Sequence, residues 1–163
     1  MTDFFLREVT NDDVRLLWEW RNDSLVRETA FDQEFISWKS HACWFDRKLS
    51  SVDCRIWILQ DDGFPVGQVR YDRGGEIAEL TYSVSKEFRG RGLGTVLLQM
   101  STPLACKELD VAILVAFVKQ GNLPSMRALK RSGFERMKVI NRNNEQCWKF
   151  QKSCESCNQI FTS

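Results

Sequence analysis

Three things are scarce in this sequence: charge of one sign, long apolar runs and histidine. Twenty-three Lys and Arg against 22 Asp and Glu leave a formal charge of +1, so no broad field exists to hold nucleic acid or an anionic membrane, and any anion must be met by a few local donors. The longest apolar run, "VAILVAFV", is far too short to span a bilayer. The opening "MTDFFLREVTNDD" has neither the basic flank nor the apolar core of a secretory leader. A cytoplasmic protein is expected, with neither nucleic acid nor membrane as partner. The single histidine, His41, leaves a metal site dependent on cysteine, and only "CESC" at Cys154 and Cys157 has ligand-like spacing, with Cys147 the one thiol nearby. Zinc needs about four ligands, so no metal is expected. The six cysteines, Cys43, Cys54, Cys106, Cys147, Cys154 and Cys157, are spaced irregularly and are expected as free thiols rather than a disulfide framework.

What is present is ordinary globular material: 43% apolar and 28% charged residues in a chain of 163, enough for one domain. We expect that domain over 1–152, with 153–163 as a tail. "FFLREVT" alternates as a strand, and Thr10 with Asp13 three residues on has capping-box spacing before the helical "VRLLWEW". A second helix is expected over Ile36 to Leu49, with Ile36, Cys43, Trp44 and Leu49 facing inward. "CRIWILQ" and "PVGQVRYD" flank Asp62–Gly63 as a hairpin, and Gly74–Gly75 turn the chain into "IAELTYSV". "GLGTVLLQMSTPLACKEL" reads as a helix in which Pro103 predicts a kink or break near Met100. "VAILVAFV" suits a strand covered on both faces. Then come a helix capped by Asn122 and stopped at Gly133, and strands near Glu135–Ile140 and Gln146–Gln151. The sum is an α/β (α+β) domain, a mixed sheet of about seven strands with helices on its faces.

The chemistry-bearing stretch is "YSVSKEFRGRGLGTVLLQ", Tyr82 to Gln99, which joins a strand-like run to a helix-like one. A helix start leaves about four N–H groups unpaired and carries partial positive charge, which suits phosphate wherever side chains do not block approach. Gly90, Gly92 and Gly94 remove that block, and Arg89 and Arg91 can add charge-assisted bonds, so the segment suits a pyrophosphate. It is not a Walker A loop, which needs a lysine before Ser or Thr, nor the dinucleotide fingerprint, which would need glycine at Thr95.

"VSKEFRGRGLG" resembles motif A of the GNAT superfamily of acetyl-coenzyme A dependent N-acetyltransferases, R/Q-x-x-G-x-G/A, with Arg89, Gly92 and Gly94 in its places. "AFVKQGNLPSMRALKRSGFE" is similar to the family's second motif, through Asn122, Ser125, Gly133 and Phe134. The resemblance implies a mostly antiparallel sheet with a splayed cofactor cleft and acetyl-CoA as cofactor. It implies that the backbone of Tyr82, Ser83 and Val84 pairs with the pantetheine arm and that the amides of Arg89, Gly90, Arg91, Gly92, Leu93, Gly94 and Thr95 hold the pyrophosphate. Asn122 and Ser125 would line the other side. Acyl transfer to an amine needs a base, an oxyanion donor and an acid for the leaving sulfur. Relatives place a glutamate on the strand before motif A, which points to Glu79, with Glu76 behind it. Where relatives hold a tyrosine acid this chain has Leu129, so Tyr82 or solvent protonates the thiolate, or it leaves unassisted.

The aromatic and basic N-terminal third, "WEWRNDSLVRETAF" and "ISWKSHACWF", is the expected substrate-selecting region. With "VGQVRYD" it resembles amino-sugar N-acetyltransferases of pseudaminic and nonulosonic acid pathways, which acetylate the 4-amino group of a UDP-linked amino-sugar. That implies a small-molecule amine partner and substrate contacts from Trp20, Arg21, Asn22, His41, Arg70 and Tyr71, in a monomer or homodimer. The alternatives are a protein N-terminal acetyltransferase of the ribosomal-protein type and a noncatalytic CoA-binding module.

Overall fold

The structure is a computed structural model describing residues 3–155. Seven strands form one sheet in the order β1-β2-β3-β4-β5-β7-β6: β1 Phe4–Glu8, β2 Cys54–Asp61, β3 Phe64–Gly74, β4 Ile77–Val84, β5 Ile113–Lys119, β6 Glu135–Arg142 and β7 Glu145–Ser153. Every pairing is antiparallel except β4 with β5. Asp62 and Gly63 both take positive φ in the β2–β3 turn, as an Asp-Gly hairpin requires.

The expected capping box is formed: Asp13 accepts from the Thr10 amide at 2.8 Å and from both Arg7 terminal nitrogens at 2.8 Å. Helix α1, Val14–Asn22, follows. A short helix, α2 (Ser24–Thr29), was not expected; its signal is Asp23, whose carboxylate accepts from the Leu25 and Val26 amides. Helix α3, Trp38–Leu49, buries His41 and Phe45, while Cys43, expected inward, is exposed. Trp44 and Leu49 pack against the core as expected.

Helix α4, Leu93–Leu109, continues through Pro103 without the expected break. Both Pro103 and Gln99, whose carbonyl loses its partner, face solvent, where water can serve that carbonyl. Helix α5, Leu123–Arg131, is capped by Asn122 and ends before Gly133 at φ +86°. The sheet separates two cores. Trp57, Leu59, Val69, Leu80 and Leu97 share one with α4 and α5, and Ile56, Ile58, Leu17 and Phe45 share the other with α1 and α3.

Cys106 and Cys154 form a disulfide with Cα atoms 5.6 Å apart, which corrects the free-thiol expectation for that pair; Cys43, Cys54 and Cys147 are free. The pairing arises because the chain after β7 stays beside β5, with the Cys154 amide donating to the Ala112 carbonyl, and so meets the end of α4. Cys157, the other thiol of "CESC", and most of the expected tail lie outside the described residues.

Candidate active site

Strands β4 and β5 pair over only three positions, ending at Glu79 opposite Val115. Beyond them the strands part, leaving Leu80–Val84 and Ala116–Lys119 with inner edges that do not meet. Parallel strands separated in this way expose main-chain donors and acceptors, and two connected spaces open in the gap. One is a cavity of about 530 Å³ toward α1 and α3. The other is a wider cleft of about 1020 Å³ between α4 and α5. Tyr82, Ser83, Asn122 and Ser125 line both and mark their junction.

The cleft contains the glycine junction. Gly90 and Gly92 adopt φ of +78° and +76°, and Gly92 caps α4 with no side-chain hydrogen bond. The first amides of α4 therefore remain available, and no side chain stands before them. The Thr95 amide already donates to the Gly92 carbonyl at 3.1 Å, so Leu93 and Gly94 supply the freer donors. Leu93 is buried against the core, and a Cβ at Gly94 would stand 3.2 Å from the Tyr82 ring, so glycine here admits the tyrosine.

The two arginines are placed differently from the expectation. Arg89 lines the cleft, but its guanidinium is bound to Asp23 at 2.6 Å and to the Val84 carbonyl at 3.1 Å, tying the α2 cap to the end of β4. Arg91 is exposed, lies over the Phe88 ring and is not part of the lining. The cations missed in the sequence are Arg127 and Arg131 of α5 and Lys119 of β5, which pairs with Glu145 at 2.9 Å, all on the cleft; the i, i+4 spacing of the two arginines was the available signal.

At the junction the Tyr82 hydroxyl lies 3.0 Å from Ser125 Oγ. Burial pushes its pKa up to about 12, with Ser125 pulling the other way, so at neutral pH the phenol keeps its proton. Leu129, at the position matching the tyrosine of the second motif, is fully buried in the core. A hydroxyl thus reaches the start of α5 from β4 instead. Asn122 accepts from the Ser125 amide at 3.3 Å, so its cap and its place on the lining coexist.

Glu79 is not among the residues lining either space. Its carboxylate pairs with Arg142 at 2.8 Å, and Arg142 lies over the Phe31 and Phe117 rings that do form the cavity wall. Glu76 is exposed at the β3–β4 turn.

Of the six expected substrate residues, three line the cavity: Arg21, His41 and Arg70. Arg21 donates through Nη2 to the Asp32 carbonyl at 2.8 Å, while its Nη1 is buried with no partner among the described residues. Burial lowers its pKa from the ordinary arginine value, Asp32 opposes that, and Arg27 and Arg70 add to it. Arg70 is clamped, its Nε on Asp72 at 2.7 Å and its guanidinium 5.1 Å from the Trp44 ring. Lys48 also binds Asp72, and these cations outweigh burial to hold that carboxyl below its usual range.

The other three do not line the cavity. Tyr71 is fully buried, bonded to Ser101 at 2.7 Å on the α4 side, because neighbours on a strand face opposite sides and Arg70 takes the cavity side. Asn22 lies inside α1 and spends both amide atoms on the backbone of Ile36, at 2.9 and 3.0 Å. Trp20 packs against the α1–α3 core. Gln68 and Thr81 line the cavity unforeseen, yet no aspartate or glutamate among the described residues does.

The acetyltransferase (GNAT) domain family matches residues 3–135, which span both the glycine junction and α5. The chain belongs to that family. As a GNAT domain it is 29% identical over 146 residues to an uncharacterized N-acetyltransferase of Methanocaldococcus jannaschii, covering 84% of this chain but only 63% of the relative's length. Its fold is shared with the aminoglycoside acetyltransferase AAC(6')-Ib in complex with coenzyme A, at TM-score 0.79 and 19% identity over 93% of this chain and 95% of that one. It is also shared with spermidine N-acetyltransferase from Vibrio cholerae, in complex with CoA and spermine, at TM-score 0.82 and 15% identity over 92% and 95%.

Proposed function

We propose that this GNAT domain transfers an acetyl group from acetyl-CoA to a primary amine of a small molecule, and that the amine is carried by an anionic acceptor, the 4-amino group of a UDP-linked amino-sugar. The observation that carries the reading is the gap between β4 and β5, which joins a cleft at an uncapped helix N-terminus to a separate cavity. The cleft fits the cofactor on its own chemistry. Free amides of Leu93 and Gly94 suit a pyrophosphate, and the unpaired edge of Tyr82–Val84 suits the amide-bearing pantetheine arm. Bound there, acetyl-CoA supplies an acetyl thioester at the junction.

The chain's own groups do the rest. Tyr82, protonated at neutral pH and oriented by Ser125, is the proton donor to the departing sulfur. The cavity holds the acceptor. Its lining has two arginines and, among the described residues, no carboxylate. Such walls suit phosphate and repel polycations. The aminoglycoside and spermine enzymes share the fold, but their substrates carry the opposite charge from the one this cavity accommodates. Residence in the cytoplasm belongs to the same proposal, as the place where acetyl-CoA and nucleotide sugars meet.

The test is thiol release from acetyl-CoA against a panel of UDP-amino-sugars, N-terminal ribosomal peptides, spermidine and an aminoglycoside. Turnover of the first class, with Arg21→Ala raising its KM but not that of acetyl-CoA, is the expected result. Preference for a peptide or polyamine, or equal KM effects on both substrates, overturns the acceptor assignment.

A further inference from the structure

With Glu79 engaged by Arg142, the cavity still needs a group that can take the ammonium proton of its amine. The ionisable side chains on its wall are Arg21 from α1, His41 from α3, Arg70 from β3 and Tyr82 from β4; α2, β5 and α5 contribute none. Arginine stays charged at any relevant pH, and Tyr82 holds its proton. His41 alone has a lone pair to offer. It is 3% exposed, stacked on Phe45 at 6.2 Å and tilted against Trp44 at 5.3 Å. Its Nε2 lies 3.0 Å from the Val14 carbonyl. A carbonyl can only accept, so Nε2 carries the hydrogen and the ring presents a bare Nδ1, which has no hydrogen bond among the described residues.

We propose that His41 Nδ1 accepts, through a water molecule, the proton that the acceptor's ammonium group must lose before attack. The inference rests on the amine acetyltransferase reading. The balance closes as follows: one ammonium proton passes to His41 and on to solvent, the N–C bond forms as the C–S bond breaks, and the second nitrogen proton replaces the one Tyr82 gives to sulfur. The products are an N-acetyl amide and a free thiol, with one proton released.

Arg21 gives this base a dependence on substrate. Burial pulls the His41 pKa below its ordinary value, the Val14 carbonyl partly opposes this, and the Arg21 charge depresses it further. An acceptor anion seated on Arg21 cancels that charge, so the imidazole gains basicity only when the cavity is filled.

One histidine in the chain makes the experiment direct. Long-range ¹H–¹⁵N spectra of the untagged protein with saturating CoA should show Nε2–H and unprotonated Nδ1 at pH 7.5, with a midpoint below the ordinary ~6.5 that rises by about half a unit or more when UDP is added. His41→Gln should lower kcat by about 10²-fold and remove the acidic limb of kcat against pH, with acetyl-CoA affinity kept. Added imidazole should restore turnover to His41→Ala. A proton found on Nδ1, or a His41→Gln enzyme with the wild-type rate and limb, overturns the proposal, and a midpoint that UDP does not move overturns the coupling to Arg21. Wild-type protein that acetylates no amine in the panel overturns the acetyltransferase reading instead, while the spectrum still decides which nitrogen is bare.

Discussion

At the scale of single residues the proposed chemistry turns on Tyr82. It is one of only two tyrosines, and its neighbour in type, Tyr71, shows what distinguishes a site residue from a core one. Both hydroxyls bond a serine on a helix, Tyr71 to Ser101 at 2.7 Å and Tyr82 to Ser125 at 3.0 Å. Tyr71 is sealed under α4, whereas Tyr82 lies where β4 has lost its partner strand and so faces both spaces. Tyr82→Phe is therefore expected to lower kcat by roughly 10²-fold, within the range for a lost acid, with acetyl-CoA affinity nearly unchanged in calorimetry. A kcat equal to wild type would pass the proton step to solvent. Tyr71→Phe should leave kcat intact.

At the scale of elements, the anchoring of the N-terminal segment decides the cavity's wall. Asn22, Arg21 and Trp18 all bond backbone carbonyls between Asp32 and Ile36, fixing the strip that carries Phe31 and Ile36. The base of that arrangement is Arg7 with Asp13. Burial pushes the Asp13 carboxyl upward, but bonds from Arg7 and from the Thr10 amide prevail and hold it below its ordinary value. A carboxyl depressed in the folded state stabilises above its unfolded pKa of about 3.9, and that stability is lost as pH falls through the folded value. Asp13→Ala should cost about 1–3 kcal/mol at pH 7 and flatten the acid limb of stability against pH, measured by urea unfolding. The disulfide acts at the other end of the fold, closing 48 residues between α4 and the end of β7. Cys106→Ser should lower unfolding free energy by about 2–4 kcal/mol under oxidising conditions, and leave it unchanged relative to wild type under reducing ones.

Apart from α2, element order was legible because its signals are local: the Asp62–Gly63 turn, the Thr10–Asp13 box, the Asn122 cap and the Gly133 stop each act within four residues. What escaped the sequence depends on partners far along the chain. Strand parity put Arg70 on the cavity and Tyr71 in the core, and an error of one residue exchanges them. Asn22 has the chemistry of a ligand contact, and only the folded path of Ile36 shows it to be a brace. Arg89 matched its motif, yet Asp23, 66 residues away, had already engaged it. Glu79 and Arg142 meet from β4 and β6, which β5 and β7 separate.

For the whole molecule, net charge says little and its distribution a great deal. A chain with formal charge +1 lines one cavity with Arg21, His41 and Arg70, pairs Arg70 with Asp72 behind the wall, and holds Glu79 outside on Arg142. Meanwhile the parted strands supply main-chain groups that any amide-rich, phosphate-tipped cofactor can use. On the proposed reading the two spaces divide the labour, carrier in the cleft and acceptor in the cavity, and meet at Tyr82 and Ser125.

That division rests on the uncapped start of α4 as the seat of the carrier's pyrophosphate. Calorimetric titration of acetyl-CoA into wild type and Gly92→Leu tests it most directly. Space around Gly92 is open and its φ is +76°, so leucine should cost roughly 1–2 kcal/mol of stability, leave a folded protein by thermal melting, and weaken acetyl-CoA binding more than about tenfold, or 1.4 kcal/mol. A folded Gly92→Leu protein that binds acetyl-CoA as tightly as wild type would contradict the account.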